Sequence, residues 1–300
     1  MFKPRREGLD ERGSCPDAPG FRMSLPPLSI VVRTLNSAAT LGQVLGALQL
    51  LPGDQLVLVD SGSTDGTLEL ARAYGAEIVS MRKEDFTYGR ALNLGFAAAR
   101  HEWILSLSSH TVPVAADFLE RYRRAILRFP AVVTAAVGPL VTNVHEVTLA
   151  GGITYFEGDD LRHGFGFGAG NPNSLYRRQA WLGRPFDEAL GGGEDLHWYC
   201  AGLRAGESVA AIHAARVKYI SRAGVKDFYR KGRVDHRAAA ALLEPYQPSF
   251  GGLLTHGAKL GLYAVLGRTD WRSARNAAAH YFGSWIEARS LRDRPKEPAA

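Results

Sequence analysis

The segment from Val59 to Thr67, VDSGSTDGT, places two carboxylates at the end of an apolar run. A carboxylate at the end of a strand can accept hydrogen bonds from a nucleobase N–H group or a ribose hydroxyl. We therefore interpret Asp60 as a ligand-binding residue. The second carboxylate, Asp65, is expected to organise the turn, and Thr67 is expected to cap the helix that follows.

A further pair of carboxylates, Glu194 and Asp195, follows three glycines and opens the sequence LHWYCAGLRAG, which is typical of a helix. Unpaired amides at a helix N-terminus stabilise anionic side chains, so capping alone would explain the pair. An anionic carboxylate is also the group that can remove a proton from a hydroxyl nucleophile. The pair is therefore open to two interpretations, helix capping and general-base chemistry.

Strands and helices are expected to alternate from Leu28 onwards. Short apolar runs, among them LSIVV, QLVLVD, WILSL and VVTAAV, are separated by longer segments with helical spacing. Because the runs are apolar without alternation, we expect a mainly parallel α/β sheet that is sandwiched by helices. Ligands bind such sheets beyond the carboxyl ends of the strands, which is where Asp60 is expected to lie.

The 300 residues have the composition of a globular protein, with 46% hydrophobic and 22% charged residues. No apolar run approaches the roughly 20 residues of a membrane-spanning helix, and the N-terminal residues lack the apolar core of a secretory signal. These features predict a cytoplasmic protein. Cys15 and Cys200 are too few for a disulfide framework or a zinc site, and both are expected to be free thiols.

Three regions are expected along the chain. Residues 1–24 are rich in charge, Gly and Pro and have no apolar period, which predicts a disordered tail. Residues 25–235 contain the alternating segments and a Gly-rich aromatic stretch, and are expected to form the α/β domain. Residues 236–300 are rich in Ala, Leu and Arg with apolar residues at helical spacing, which predicts a helical C-terminal extension.

The net charge of +6 is concentrated in the C-terminal part of the chain. From Ala214 onwards there are 16 Lys and Arg residues against 7 Asp and Glu residues. Such a bias suits an anionic ligand or membrane surface, although charge alone favours a solvated face of Arg-bearing helices. We expect no nucleic-acid partner. Peripheral contact of the basic helices with the inner face of the membrane is one interpretation of this charge.

Four longer motifs occur in a characteristic order within residues 28–220. They are SIVVRTLNSAATLGQVLGAL, LVLVDSGSTDGT, YGRALNLGFAAARHEWILSLSSHTVP and GGGEDLHWYCAGLRAG. With these motifs the chain resembles the inverting family 2 glycosyltransferases of GT-A fold. The phrases FTYGRALN and LSSHTVP are most similar to the rhamnosyltransferase-like members. The resemblance implies transfer of a sugar from a nucleoside diphosphate sugar.

The resemblance also implies roles for individual residues. Asp195 would be the base that deprotonates the acceptor hydroxyl, with Glu194 as its orienting partner, or the two roles are reversed. Thr34 and Asn36 would line the nucleotide site, and Asp60 would contact the nucleobase. The other candidates for donor binding, which would face the nucleotide or its diphosphate, are Arg90, Asn93, Ser108, Ser109, Arg230 and Arg233.

The triplet Ser108-Ser109-His110 departs from the family pattern. Family members usually have Asp-x-Asp here, and its last carboxylate holds Mn²⁺ or Mg²⁺ against the donor diphosphate. An imidazole suits Mn²⁺, Fe²⁺ or Zn²⁺ better than Mg²⁺. Three hypotheses follow: His110 binds a metal ion, it donates a hydrogen bond to a phosphate, or the site has lost metal and activity. Metal ligation stands first because His110 occupies the ligand position.

Further basic and aromatic residues have two interpretations each. Arg230 and Arg233 lie in a segment that approaches the donor in relatives, where cations would neutralise the departing diphosphate. His236 is a weaker candidate for a second metal ligand. Phe165 and Phe167, in the Gly-rich stretch, would either stack on a sugar or belong to a loop with one buried aromatic residue.

Together these features predict an inverting glycosyltransferase of the hexosyltransferase class that acts in polysaccharide biosynthesis. The expected cofactor is a divalent metal, Mn²⁺ or Mg²⁺, and the expected acceptor is a hydroxyl of a glycan or a lipid-linked molecule. A nucleotidyltransferase is disfavoured, because Arg33-Thr34-Leu35-Asn36 does not form a Gly-rich phosphate loop. The alternative is a catalytically degenerate protein that binds nucleotide sugars or carbohydrates, which the missing Asp-x-Asp suggests.

Overall fold

A computed structural model gives the fold of this chain. Its contacts divide the chain into two compact units, residues 1–190 with 197–220 and residues 191–196 with 221–300. Among the described residues, no helix combines the length and the hydropathy that a transmembrane span requires. Phe165 and Phe167 lie outside the described residues, which are 6–8, 25–141, 152–158, 170–220, 224–242, 254, 258 and 271–292.

The first unit is built mainly from short strands and the helices that connect them. In chain order its strands are β1 (Arg6–Gly8), β2 (Leu28–Thr34), β3 (Gln55–Asp60), β4 (Glu77–Ser80), β5 (Trp103–Ser108), β6 (Thr111–Pro113), β7 (Val133–Val137), β8 (Leu140–Val141), β9 (Gly152–Glu157), β10 (Asn173–Arg177), β11 (Ser208–Ile212) and β12 (Val217–Tyr219). Its helices are α1 (Ala38–Gly46), α2 (Thr67–Ala73), α3 (Tyr88–Ala98), α4 (Phe118–Ile126), α5 (Arg178–Gly183) and most of α6 (Glu194–Arg204), whose first three residues are grouped with the second unit.

The main sheet has the strand order β1-β9-β11-β7-β10-β5-β2-β3-β4 among the described residues. Strands β5, β2, β3 and β4 are parallel to their neighbours in this group. Strand β10 is antiparallel to both β5 and β7, so the other half of the sheet is mixed. A small second sheet has the order β6-β12-β8. The predicted α/β architecture is confirmed, and its parallel character is concentrated in the half that carries Asp60.

Helices cover both faces of the parallel strands, as the uninterrupted apolar runs predict. Successive residues of a strand point to opposite faces, so Val32 joins one buried cluster with residues of α1 and α4. Val31 joins the other cluster with Phe96 of α3. Gly95 lets α3 approach the sheet closely, because a Cβ atom there would overlap the side chains of Val31 and Val59.

The turn after β3 differs in one detail from its expected form. Gly66, with a φ of 82°, is the cap residue of α2, and Thr67 is the first residue inside the helix. The prediction that Thr67 is the cap is therefore wrong, because the left-handed backbone needed at this position favours glycine. Asp65 organises the turn as predicted, since its carboxylate accepts hydrogen bonds from the backbone N–H groups of Thr67 and Ala38.

Ordered elements lie within the predicted N-terminal tail and across the boundary that is expected after residue 235. Within the predicted N-terminal tail, Arg6–Gly8 pairs antiparallel with β9, while the remaining residues of 1–24 are outside the described set. The boundary expected after residue 235 falls inside α7 (Val225–Leu242). The described part of the second unit consists largely of α7 and α8 (Trp271–Arg292).

Helices α7 and α8 pack closely in the second unit. A Cβ atom on Gly232 would overlap the carbonyl of His280, so a glycine is needed at this crossing. The side chain of Glu287 is fully buried and accepts hydrogen bonds from Arg233 and Arg237. Burial by itself would raise the pKa of Glu287, but the two guanidinium groups outweigh it and hold the pKa below its ordinary value.

A buried ion pair fixes the start of the sheet in the first unit. Arg123 of α4 contacts Asp54, and both side chains are almost completely buried. The Asp54 carboxylate also accepts hydrogen bonds from the backbone N–H groups of Leu28 (2.9 Å) and Leu51 (2.7 Å). The Nε of Arg123 donates to the carbonyl of Pro26 (3.2 Å). These contacts hold the chain that enters β2 against the chain that enters β3.

We expect Asp54→Ala to lower the free energy of unfolding by about 3–5 kcal/mol, because the guanidinium of Arg123 would stay buried without its carboxylate. The matched control is Glu120→Ala, which removes an exposed partner of Arg124 on the same helix. That change is expected to cost less than about 1 kcal/mol. Urea unfolding followed by circular dichroism measures both values, and equal losses would contradict the prediction.

Candidate functional site

Asp60 lies buried at the carboxyl end of β3, and one of its two carboxylate oxygens has no hydrogen-bond partner. Its Oδ2 accepts hydrogen bonds from the backbone N–H groups of Gly62 and Ser63, both at 3.0 Å. Its Oδ1 is also buried and has no hydrogen-bond partner. A buried polar atom without a partner costs free energy, so Oδ1 is suited to a donor group on a ligand.

Thr34 and Asn36 follow on the neighbouring strand β2, where Thr34 is paired with Asp60 across the sheet. The hydroxyl of Thr34 is buried without a partner. Asn36 has a φ of 46°, and its Oδ1 accepts a hydrogen bond from the N–H of Thr64 (2.8 Å). The N–H of Asn36 donates to the hydroxyl of Ser63 (2.8 Å). Asn36 therefore holds the ends of β2 and β3 together, and Thr34 has a hydroxyl available.

The triplet Ser108-Ser109-His110, at the end of β5, forms a chain of hydrogen-bonded side chains. The hydroxyls of Ser37 and Ser109 are 2.8 Å apart. The Nδ1 of His110 lies 3.3 Å from the hydroxyl of Ser109, and its Nε2 lies 2.9 Å from the hydroxyl of Ser108. The ring also meets Tyr219 edge to face, at 5.4 Å between ring centroids. Both ring nitrogens of His110 are thus engaged with serine hydroxyls.

The imidazole of His110 is expected to be neutral at pH 7. Burial, and to a lesser degree the positive charge of Arg33, lower the pKa of His110 below its ordinary value of 6.5. A neutral ring has one N–H donor and one acceptor nitrogen, which matches its two serine contacts. His110 in this state can orient or donate a hydrogen bond, but it carries no charge to offset a diphosphate.

The described residues do not fit a divalent-metal site of the carboxylate type. The triplet offers no carboxylate oxygen, and a metal ion on His110 would have to displace one of its two serine contacts. In the described part of the chain, no group of three or more His, Cys, Asp or Glu side chains is arranged to hold a metal ion. His236, the weaker metal candidate, lies buried in α7. Metal ligation by His110 stays a prediction that this geometry does not favour.

Arg33 is a residue of this region to which the sequence pattern assigned no role. It precedes Thr34 in β2 and is aligned with Ser108 of β5 on one side and Val59 of β3 on the other. Its guanidinium lies over the ring of Tyr88, at 5.4 Å from the ring centroid. The Nε and Nη1 atoms are buried and have no hydrogen-bond partner. The signal in the sequence was an arginine one residue before the end of an apolar strand.

Asn93 occupies a structural position on α3. Its Nδ2 donates to the carbonyl of Phe186 and to Glu188, both at 2.9 Å. Its Oδ1 accepts hydrogen bonds from Trp181 Nε1 and from the Phe186 N–H, both at 3.0 Å. Contact with a nucleotide would require Asn93 to release one of these partners. Arg90, which is half exposed, lies 3.6 Å from the same Glu188 carboxylate.

The cationic candidates of α7 are paired with carboxylates of the second unit. Arg230 lies 3.3 Å from Asp227, and Arg233 donates its Nε to Glu287 at 2.8 Å. A hydrogen bond between Arg233 and the fully buried Glu287 is costly to break, because it would leave that carboxylate with one partner fewer. Binding of a diphosphate by Arg233 stays a prediction, and this pairing does not favour it.

Glu194 and Asp195 open α6, as the sequence predicts. Glu194 is buried, and the Oδ1 of Asp195 accepts a hydrogen bond from the N–H of Leu196 (2.8 Å). Gly193 immediately before them has a φ of 77°, a backbone conformation that favours glycine. The helix-start interpretation is thus supported by the local geometry, while the catalytic roles of the two carboxylates stay predictions.

The sequence profile of the glycosyl transferase family 2 matches residues 29–181, just over half of the chain. The chain belongs to this family. The matched region of this family 2 protein includes the ends of β2, β3 and β5, where Thr34, Asp60 and Ser108 lie. The family resemblance seen in the sequence is thereby confirmed, and the closer likeness to rhamnosyltransferases stays a prediction.

Curated relatives share part of this sequence. The PGL/p-HBAD biosynthesis glycosyltransferases of Mycobacterium bovis and Mycobacterium tuberculosis are 36% identical to it over 105 residues. The match covers 33% of this chain and 41% of each relative. The chain thus spans about two fifths of the length of the curated relatives it matches.

Solved structures of the same architecture cover most of the chain. A mannosyltransferase from Pyrobaculum calidifontis, in complex with GDP-Man and Mn²⁺, has a TM-score of 0.61 at 15% identity and covers 90% of this chain and 89% of its own. Glucosyl-3-phosphoglycerate synthase from Mycobacterium tuberculosis, in complex with Mn²⁺, UDP and glucosyl-3-phosphoglycerate, has a TM-score of 0.53 at 20% identity and covers 73% and 80%. These likenesses confirm the predicted GT-A fold.

We expect Arg33→Met to raise the pKa of His110, because the substitution removes the positive charge that opposes protonation of the ring. Burial remains, so the ring stays neutral at pH 7 in both proteins. NMR titration of the His110 ring measures the midpoint. Arg82→Met is the matched control, because Arg82 is exposed and paired with Asp85. An unchanged His110 midpoint in the Arg33 variant would contradict the electrostatic coupling.

Proposed function

We propose that the protein is an inverting glycosyltransferase that transfers a sugar from a nucleoside diphosphate sugar to an acceptor hydroxyl. The observation that supports this most is the set of polar groups at the aligned ends of β2, β3 and β5 in a family 2 chain. Among these groups, Asp60 Oδ1 and the hydroxyl of Thr34 are buried without partners. Such groups are suited to the donor and acceptor atoms of a nucleoside.

The proposed reaction is a single displacement at the anomeric carbon. The acceptor oxygen bonds to that carbon from the face opposite the diphosphate, while the bond from the carbon to the diphosphate oxygen breaks. The proton of the acceptor hydroxyl passes to a carboxylate, for which Asp195 is the candidate and Glu194 its orienting partner, or the reverse. The nucleoside diphosphate leaves with the electron pair, and the sugar is transferred with inverted configuration.

The acceptor is proposed to be a hydroxyl of a glycan or of a lipid-linked molecule. Glycosyltransferases named for PGL/p-HBAD biosynthesis are among the relatives. In the second unit, the exposed Phe282 stacks with Trp285 on α8, near the basic residues Lys226 and Arg275. Aromatic and basic groups together suit contact with an anionic lipid surface.

We expect the protein to sediment with phosphatidylglycerol vesicles and Phe282→Ser to lose this sedimentation. Equal sedimentation of the variant and the wild type would refute the contact.

A non-catalytic nucleotide-sugar binder is the second candidate. The observation that favours it is the absence of a carboxylate from Ser108-Ser109-His110, since family members usually use one to hold the metal ion beside the leaving group. This candidate keeps the nucleotide contacts of Asp60 and Thr34 but predicts no turnover. The two candidates therefore agree on binding and differ only in the transfer step.

We expect one or more nucleoside diphosphate sugars in a panel to raise the melting temperature, because a ligand that binds only the folded protein stabilises it by mass action. With that donor, Asp195→Asn is expected to lower kcat for hydrolysis or transfer by about 10²- to 10⁴-fold, the usual contribution of a general base. Donor consumption measured by release of the nucleoside diphosphate checks this value.

The matched control for the base is Asp117→Asn, an exposed residue at the start of α4 that pairs with Arg121. It is expected to leave kcat unchanged. Stabilisation by a donor without any turnover, in the wild type and with lipid extracts as acceptor, would favour the binder. Full activity of Asp195→Asn would exclude Asp195 as the base.

A further inference from the structure

Arg33 lies on β2, the strand between those that end in Ser108 and in Asp60 in the sheet order β5-β2-β3. Residues paired in register share a face of the sheet, so Arg33 is on the same face as Ser108, whose hydroxyl contacts His110. Thr34 and Asp60 are on the opposite face, so the two pairs of residues can share a ligand only beyond the ends of the strands. Arg33 thus emerges at the carboxyl edge where ligands of such sheets bind.

The guanidinium of Arg33 is partly shielded from water and has no carboxylate partner among the described residues. Its Nε and Nη1 are buried and unpartnered, and its one described side-chain contact is with the ring of Tyr88. A buried charge is costly unless an opposite charge and hydrogen bonds compensate it. An anionic ligand that accepts hydrogen bonds from two guanidinium nitrogens would supply both, and phosphate oxygens match this geometry.

Two other shielded arginines among the described residues have such a partner. Arg123 pairs with Asp54, and Arg184 pairs with Glu207. Against this pattern, the described residues provide no carboxylate for Arg33. The surroundings of Arg33 therefore suit the binding of an anionic ligand, whereas a structural arginine would be paired with a carboxylate.

The neighbouring triplet does not offer a competing source of positive charge. Both ring nitrogens of His110 are engaged with serine hydroxyls, and the triplet has no carboxylate to hold a metal ion. A departing diphosphate nevertheless requires positive charge beside it, because negative charge develops on the leaving group as the bond to the sugar breaks. Arg33 is a group at this edge that can provide it.

We propose that Arg33 binds the diphosphate of the donor directly and takes over the charge-neutralising role of the divalent metal ion, so that nucleotide binding does not depend on metal. The proposal rests on the proposed function for the identity of the ligand, whereas its anion chemistry is independent of it. Arg33 would form a bidentate contact with phosphate oxygens, and the hydroxyl of Ser108 would lie on the same face of the sheet.

Calorimetry of the full chain with UDP, GDP, dTDP, the corresponding nucleosides and inorganic pyrophosphate tests this inference, in EDTA and in MnCl₂. We expect at least one diphosphate to bind in EDTA, with an affinity that Mn²⁺ changes less than about threefold. Arg33→Met is expected to weaken that binding by about 10- to 100-fold, the range for hydrogen bonds to a charged group. Binding of the corresponding nucleoside should change little.

Two further variants keep the test decisive. Arg33→Lys retains one charge but not the fork of donors, so an affinity between those of the wild type and Arg33→Met is expected. Arg82→Met, an exposed arginine of the same unit, should bind like the wild type. Melting temperatures of all variants show whether each is folded. If Arg33→Met does not fold, the affinity of Arg33→Lys provides the test.

The outcomes separate this inference from the proposed function. Diphosphate binding that requires Mn²⁺, or equal affinity of the folded Arg33 variants and the wild type in EDTA, would overturn the role of Arg33 and leave the glycosyltransferase proposal standing. Arg33-dependent binding of pyrophosphate without binding of any nucleotide would support the anion site and count against the proposed function. No diphosphate binding in EDTA would overturn the inference.

Discussion

The parallel register of β5, β2 and β3 is the constraint on which the candidate site depends. Hydrogen bonds between these strands align Arg33 with Ser108 and Thr34 with Asp60, although the residues are far apart in the chain. The strands can hold this register because both of their faces are covered by helices and filled with apolar side chains. Polar groups are left at the carboxyl edge, where the strands end and the covering helices begin.

The shielded charged side chains of this protein occur in two kinds of environment. Several shielded charges among the described residues are neutralised within the chain, as in the buried pair of Arg123 with Asp54 and in the contacts of Glu287 with two arginines. These pairs stabilise the fold because removing one partner would leave the other uncompensated. At the carboxyl edge, by contrast, two guanidinium nitrogens of Arg33 and one oxygen of Asp60 are buried without hydrogen-bond partners. The free-energy cost of burying these atoms without partners can be offset when a ligand binds to them.

The site residues differ in how far their local sequence predicts their contacts. Asp60 was predictable because an acid that ends an apolar strand and precedes small turn residues lies at the edge where such sheets bind ligands. Asn93 and Arg233 have plausible positions in the sequence, yet the structure gives them partners in segments far along the chain. Thr67 was expected as a helix cap, but Gly66 takes that position because the turn needs a left-handed backbone. Arg33 was not identified, since nothing in its local sequence reveals that its guanidinium lacks a counter-charge.

The amino-acid sequence is sufficient to predict the alternation of strands and helices, the family and the strand ends that carry polar groups. These properties depend on residue type and spacing along the chain, through side-chain polarity and backbone preference. The polar atoms that keep a free hydrogen-bonding position are known only from the folded structure. Contacts such as those of Asn93 with Phe186 and of His110 with Ser108 determine which atoms are free. The geometry of these contacts follows from how the elements pack and not from local sequence.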